Sequence, residues 1–344
     1  MALVSLKQLM DDACTHGYAI PAFNVNNMEQ MLAIMGAADQ VDSPVIMQAS
    51  RGARAFASDI VLSHLIRAAI EMYPHIPVCM HQDHGNSPAT CMSAITNGFS
   101  SVMMDGSLDE TGTLPTTFEQ NVAVTKKVVD MAHLVGVSVE GEIGHLGSLE
   151  TGKGEAEDGH GFEGELSRDM LLTDPEEARS FVEQTKVDAL AVAIGTSHGA
   201  YKFTRKPDGD ILAIGRLKEI HNAVPNVPLV MHGASTVPKH LQNKINDHGG
   251  SISPTWGVPL EEIQKGIQFG VRKVNVDTDL RLAFTGAIRE VFATKVSEFD
   301  PRKYLQLGID AMRKECLERY VAFGSAERGA KIKALPLSQI ARSY

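Results

Sequence analysis

Eight short apolar runs alternate with segments of helical period along the 344 residues, and this alternation restricts the fold more than any other feature of the chain. The runs cover residues 19–25, 44–48, 78–85, 101–104, 137–143, 189–194, 228–231 and 271–276. Most are largely apolar, as parallel strands covered on both faces tend to be. The helical stretches between them are long enough to carry the chain back for the next parallel strand. Several helix starts are marked: Ser5, Asn27, Ser87 before Pro88 and Asp174 before Pro175 all suit an N-cap. No linker divides the chain at its middle and no short repeat runs through it. A closed α/β TIM (β/α)8 barrel is therefore predicted, with residues 1–344 as one domain and a helical C-terminal extension over about 296–344. A doubly wound sheet is the competitor, but it does not require polar residues at the carboxyl ends of nearly all its strands.

Bulk properties narrow the partners. A net charge of −10 with no basic run of five or more residues argues against nucleic acid and anionic membranes. No apolar stretch approaches the roughly 18 residues of a membrane span, and the first residues do not read as a signal peptide, so a cytoplasmic location is expected. Cys14, Cys79, Cys91 and Cys316 lack Cys-x-x-Cys spacing and read as small hydrophobes rather than a disulfide framework. The acidic balance leaves anionic substrates open, because backbone N–H groups hold phosphate locally.

The polar strand ends carry the chemistry. In order they offer Ser50, Asp83 with His84, Asp105, Glu140 with Glu142, His198, His232, and Asn275 with Asp277. Three imidazoles converging on one mouth are a catalytic zinc pattern, the fourth position being left for a substrate oxygen. His84, His198 and His232 are each followed by glycine, which lets backbone come close to a ligand. The carboxylates supply hard ligands for a second cation, or an acid and a base. Plainer readings stand beside these: Asp105 suits a turn before Gly106, and Glu140 and His81 suit buried partners behind the site. His64, His75, His133, His221, His240 and His248 fall on helices or turns and read as surface or packing residues. Lys202 and Lys273 are read as surface lysines. The strand at 189–194 carries no lysine for a Schiff base. The loops after strands seven and eight, where barrels commonly bind phosphate, read Gly233-Ala234-Ser235 and Asn275-Val276-Asp277-Thr278. A long stretch rich in glycine and acids, 144–165, follows strand five and reads as a mobile functional loop.

Six ordered stretches, Pro21-Ala-Phe-Asn-Val-Asn26, Gln82-Asp-His-Gly85, Glu140-Gly-Glu-Ile-Gly144, Gly195-Thr-Ser-His-Gly199, Met231-His-Gly-Ala-Ser235 and Lys273-Val-Asn-Val-Asp-Thr278, resemble those of class II, zinc-dependent fructose-bisphosphate aldolases. The resemblance is to the longer subtype with an extended C-terminus. It implies reversible aldol cleavage of fructose 1,6-bisphosphate through a zinc-stabilised enediolate, with His84, His198 and His232 as zinc ligands. It further implies Asp105 and Glu142 at a second divalent site, Asp83 as proton donor to the aldehyde oxygen, and a monovalent cation. Dihydroxyacetone phosphate would be held by Gly199, by Gly233, Ala234 and Ser235, and by Asn275, Val276, Asp277 and Thr278, with Ser50 toward the glyceraldehyde 3-phosphate half. Glu157 resembles the loop base, with Glu155 as the alternative. Arg302 resembles an arginine that meets the second phosphate, in its own or a neighbouring subunit, or else is a helix-start surface residue. A homodimer or homotetramer is expected from the family. Tagatose 1,6-bisphosphate is the rival substrate. A zinc hydrolase on the same barrel stands further off, since strand one carries Phe23-Asn24-Val25 where such enzymes often have His-x-His.

Neighbouring side chains on a regular strand point to opposite faces. For Asp83 and His84 both to reach the mouth, the pleat must break between Gln82 and Gly85.

Overall fold

The computed structural model describes residues 2–150, 152–154, 164–165, 167, 169–205 and 213–344. Eight parallel strands close on themselves: β1 (Ile20–Asn24), β2 (Val45–Ala49), β3 (Val78–Gly85), β4 (Ser101–Met104), β5 (Ser138–Ile143), β6 (Ala189–Val192), β7 (Leu229–Met231) and β8 (Val271–Val276). Each pairs with the next, and β8 returns to β1 through Ile20 opposite Lys273 and Ala22 opposite Asn275. The fold is a TIM barrel.

Period two sorts every strand into an outward and an inward face. Outward residues such as Phe23, Met47, Met80, Val102, Val139 and Val274 pack under the surrounding helices. Inward residues form a separate cluster of Ile20, Ala22, Ile46, Cys79, Met103, Ala189, Ala191 and Val230. The first helix, Leu6–His16, completes that cluster with Leu6, Leu9, Met10 and Ala13. Ser5 and Gln8 form a capping box at its start, and the N–H of Lys7 donates to Ser138 Oγ at 3.0 Å, at the beginning of β5. The helix therefore plugs the bottom of the barrel. Continuing each inward series toward the mouth gives Asn24, Gln48, His81 and Asp83, Glu140 and Glu142, His232, and Lys273 and Asn275. Apolar filling thus gives way to polar chemistry along one continuous face.

Two segments differ from expectation. Residues after β2 form a helix, Arg51–Ala57, where only a strand end was read, because the Ser50 hydroxyl accepts from the N–H of Ala53 and caps a new turn. The tail beyond Ala322 is also built: a short turn at Gly329–Lys331, a helix at Leu337–Ile340, and the Tyr344 ring stacked on His133 with centroids 3.5 Å apart. The C-terminal helix Pro301–Ala322 buries Ile309, Met312, Cys316 and Tyr320 in the outer core, where Tyr320 meets the edge of Phe23 at 5.4 Å. Lys153–Gly154 pairs antiparallel with Gly164–Glu165 inside the glycine-rich stretch. Among the described residues, no helix is long and apolar enough to cross a membrane.

Candidate metal and substrate site at the barrel mouth

The pleat of β3 does break where the Asp-His pair requires it. Against β2 the register runs evenly to Ala49 opposite Gln82, but against β4 it jumps from Gln82–Val102 to Gly85–Met104. Three steps of β3 oppose two of β4, which is a β-bulge. His84 takes up the extra residue with φ +48°, a left-handed conformation rare outside glycine. That turns its side chain to the same side as Asp83. Gly85 then passes so close to β4 that a Cβ there would lie 2.6 Å from the Met103 carbonyl oxygen and 2.7 Å from Cys91 Sγ.

His84, His198 and His232 present one ring nitrogen each within 4.8 Å of one another. His232 Nδ1 and His84 Nε2 face each other at 3.0 Å, and the His84 ring stands edge-on to both other rings. Behind His232, Nε2 lies 2.8 Å from Glu140 Oε1; behind His84, Nδ1 lies 3.2 Å from Asp105 Oδ2. Each carboxylate assigns the proton to the ring nitrogen it faces and leaves the other nitrogen's lone pair for the centre. Together with a ring nitrogen of His198, they make a set of three converging imidazoles that fits a zinc ion.

A second group comprises His84, Asp105 and Glu142, again with ligand atoms within 4.8 Å. His84 belongs to both groups through its two nitrogens, so Asp105 can orient that ring or, with Glu142, take a further cation. Burial, reinforced by the nearby Asp105 charge, pushes the Glu142 carboxyl well above its ordinary range. The place favours positive charge. His84 reports the same field: burial would lower its imidazole, but Asp83, Asp105 and Glu142 outweigh this and raise it to about 10.

Asp83 is suspended between two amides. Gln48 Nε2 donates to one carboxylate oxygen at 3.1 Å and Asn275 Nδ2 to the other at 3.4 Å, while Gln48 also reaches Asn24 Oδ1 at 2.5 Å. Burial would raise the Asp83 carboxyl; His84, Lys273, His232 and His81 outweigh it and hold the group below its ordinary value. Asp83 is therefore held as a carboxylate.

Small residues and N–H groups line the far side. Gly233 has φ +61°, and a Cβ there would collide with the Ser197 carbonyl, so glycine is what lets the loops after β6 and β7 meet. The N–H of Asp277 approaches Ser235 Oγ at 3.4 Å, and Thr278 opens the helix Thr278–Thr294, whose first N–H groups suit an anion. Ala234 and Val276 are buried beneath them. Arg281 Nε donates to Asp277 Oδ1 at 2.9 Å, bringing a guanidinium to the rim.

Residues 4–328 match the family described as Fructose-bisphosphate aldolase class-II. The chain belongs to that family. As a class-II fructose-bisphosphate aldolase it is a lyase, and its relatives agree over their full length. A fructose-bisphosphate aldolase of Nostoc commune is 64% identical over 344 residues, covering 100% of this chain and 96% of that protein. A fructose-bisphosphate aldolase class 2 of Synechocystis is 62% identical with the same coverage. Among solved structures, the YdjI aldolase from Escherichia coli K12 superposes with a TM-score of 0.71 at 28% identity, over 95% of this chain and 99% of that one.

Within this aldolase the mouth gathers Ser50, Asp83, His84, His198, Gly233, Ser235, Asn275, Asp277 and Thr278 as lining residues, with His232, Asp105 and Glu142 beside them. Gly199 follows His198 with φ +75°. Arg302 is not among that lining: its side chain is 88% exposed and pairs with Asp300 at 2.9 Å. Glu157 and Glu155 lie outside the described residues. Asn24, Gln48 and Lys202 also line the mouth; the first two were not singled out from the sequence, and Lys202 was read as a surface residue. The inward period of β1 and β2 points to the first two. The surface reading of the lysines is corrected: Lys202 is buried with Nζ donating to the Ser197 carbonyl, and Lys273 is fully buried beside Glu140. Lys273 shares the inward parity of Asn275, the signal that would have placed it. His81 is buried behind the site, its Nδ1 2.9 Å from Ser101 Oγ.

Proposed function

We propose that this mouth catalyses the reversible cleavage of fructose 1,6-bisphosphate to dihydroxyacetone phosphate and glyceraldehyde 3-phosphate, at a zinc ion held by His84, His198 and His232. When bound, zinc supplies the Lewis acid that polarises the substrate ketone and offsets the negative charge that develops as the carbon–carbon bond breaks. The single observation that carries the reading is the convergence of three imidazole nitrogens at the mouth with Asp83 adjacent, in a chain of this family. In cleavage Asp83 accepts the proton of the C4 hydroxyl as the aldehyde forms; in condensation it returns that proton to the aldehyde oxygen. Asn275 and Gln48 hold the carboxylate for both directions. Glu157, with Glu155 as the alternative, protonates C3 of the departing dihydroxyacetone phosphate and removes that proton in reverse.

Gly199, Gly233, Ala234, Ser235 and the Asn275–Thr278 turn cradle the first phosphate through N–H groups and hydroxyls, and Ser50 faces the aldehyde half. Arg302 meets the second phosphate from a neighbouring subunit of a homodimer or homotetramer, a role its exposure favours over one in its own mouth. Asp105 and Glu142 hold a second divalent ion, with a monovalent cation part of the same reading but without an assigned ligand set. The partners are small sugar phosphates, the location is the cytoplasm, and residues 1–344 act as one domain. Metal content and aldol cleavage, measured together before and after chelation, test the reading. Cleavage that survives metal removal overturns it, and cleavage of tagatose 1,6-bisphosphate at an equal or greater rate overturns the choice of sugar.

A further inference from the structure

One strongly charged pair in the barrel lies behind the ligands rather than among them. Lys273 Nζ and Glu140 Oε2 are 2.9 Å apart, and both side chains are 0% exposed. The other Glu140 oxygen lies 2.8 Å from His232 Nε2, and His81 Nε2 comes to 3.4 Å from Oε2. An ion pair sealed in a core is a poor source of stability, because apolar residues of similar volume often hold a fold as well or better. Its position suggests another use.

We propose that the Lys273–Glu140 pair is the positioning device of His232, deciding which ring nitrogen faces the metal and keeping Glu140 itself out of the coordination sphere; this rests on the zinc reading above. With a carboxylate beside Nε2 the imidazole carries its proton there, so the Nδ1 lone pair faces His84 Nε2 at 3.0 Å. Asn275 Nδ2 lies nearer to this Nδ1, at 3.1 Å, than to Nε2, at 3.4 Å. Glu140 has one oxygen on His232 and the other drawn to Lys273. The ammonium, 2.9 Å from Oε2, attracts that oxygen by charge and opposes a swing of the carboxylate toward the cation. Glu140 sits on β5, Lys273 on β8 and His232 directly after β7, and the ring's orientation is thereby tied to the barrel frame. Glu140 and Lys273 are positioning residues; neither touches substrate.

The test uses the full chain and zinc alone. Glu140→Gln, Lys273→Met and the double variant are compared with the parent for melting temperature, zinc affinity by chelator competition, and the absorption bands of the Co²⁺-loaded protein. The double variant, from which both charges are removed together, is expected to melt close to the parent, yet to bind zinc about 10- to 100-fold more weakly with altered Co²⁺ bands. A folded double variant whose zinc affinity stays within about threefold of the parent, with unchanged bands, overturns the proposal. The metal-free parent gives a readout that needs no variant: ¹⁵N shifts of the His232 ring should place the proton on Nε2, and a proton on Nδ1 overturns the assignment. A parent that binds no zinc refutes the underlying zinc reading instead, and a parent that binds zinc beside an unaffected double variant refutes only the positioning role.

Discussion

His84 reaches the mouth only because its own backbone is left-handed, and Gly85 makes that turn possible by passing against β4 without a side chain. Gly85→Ala should lose roughly 1–3 kcal/mol through overpacking against Met103 and Cys91. Denaturant melts check this, and an unchanged midpoint would mean that the close approach is no constraint. Asp83 carries a different expectation, since the proton transfer proposed for it is separable from metal binding. Asp83→Asn should lower kcat by about 10²- to 10⁴-fold while zinc content stays at the parent level. A variant that keeps parental turnover removes Asp83 from the proton transfer. The adjacency of Asp83 and His84 was enough to show that the pleat must break; the dihedral that breaks it is a tertiary fact.

The elements around β3 hold that break in place. Arg54, on the unforeseen helix Arg51–Ala57, donates to both oxygens of Asp59 at 2.6 and 2.8 Å and to Gln82 Oε1, and Gln82 Nε2 donates onward to the Asp83 carbonyl at 2.7 Å. The Arg54 hydrogen bond holds the Asp59 carboxyl below its ordinary 3.8. A carboxyl depressed in the folded state stabilises at and above its ordinary pKa, and that stabilisation disappears as pH falls through the folded value. Because Asp59 is partly solvent-screened, Asp59→Asn should cost about 1 kcal/mol or less near pH 7. Its deficit against the parent should close as the pH drops below about 4. Melting temperatures across that range decide it, and a pH-independent deficit would assign the loss to packing. This helix escaped the sequence reading because Ser50-Arg51-Gly52 follows the strand directly, with no linker to announce a new element.

At the scale of the whole barrel, a metal held by the three imidazoles would be coupled to the fold, because they come from β3, the loop after β6 and the residue that follows β7. A ligand that binds only the native state raises stability by mass action, about 2.7 kcal/mol at roughly 100-fold excess over Kd. Zinc should therefore raise Tm and chelation reverse it, while His232→Ala should abolish both the shift and activity. A Tm indifferent to zinc in the parent would separate the site from the fold. The extension belongs to the same cooperative unit in our reading, since helix Pro301–Ala322 supplies outer-core residues such as Met312 and Tyr320, and scanning calorimetry should then show one transition.

Much of this was determined by local pattern alone. The alternation of runs set the barrel, the strand ends offered Asp83, Glu140, Glu142 and Asn275, and the same period of two carries Gln48 and Lys273, which were not read from it. What the tertiary structure decided are contacts between distant parts of the chain: the burial of Lys273, its pairing with Glu140, and the meeting of Glu140 with His232 across 92 residues. A lysine is most often a surface residue, and only closure of β8 onto β1 and β7 seals it inside. His84 is the clearest division between the two. Its residue type and its glycine neighbour were readable, but its side chain faces the wrong way on any regular strand. Only the extra residue in the ladder against β4 turns it toward the mouth, because strand register is set between strands and not within one.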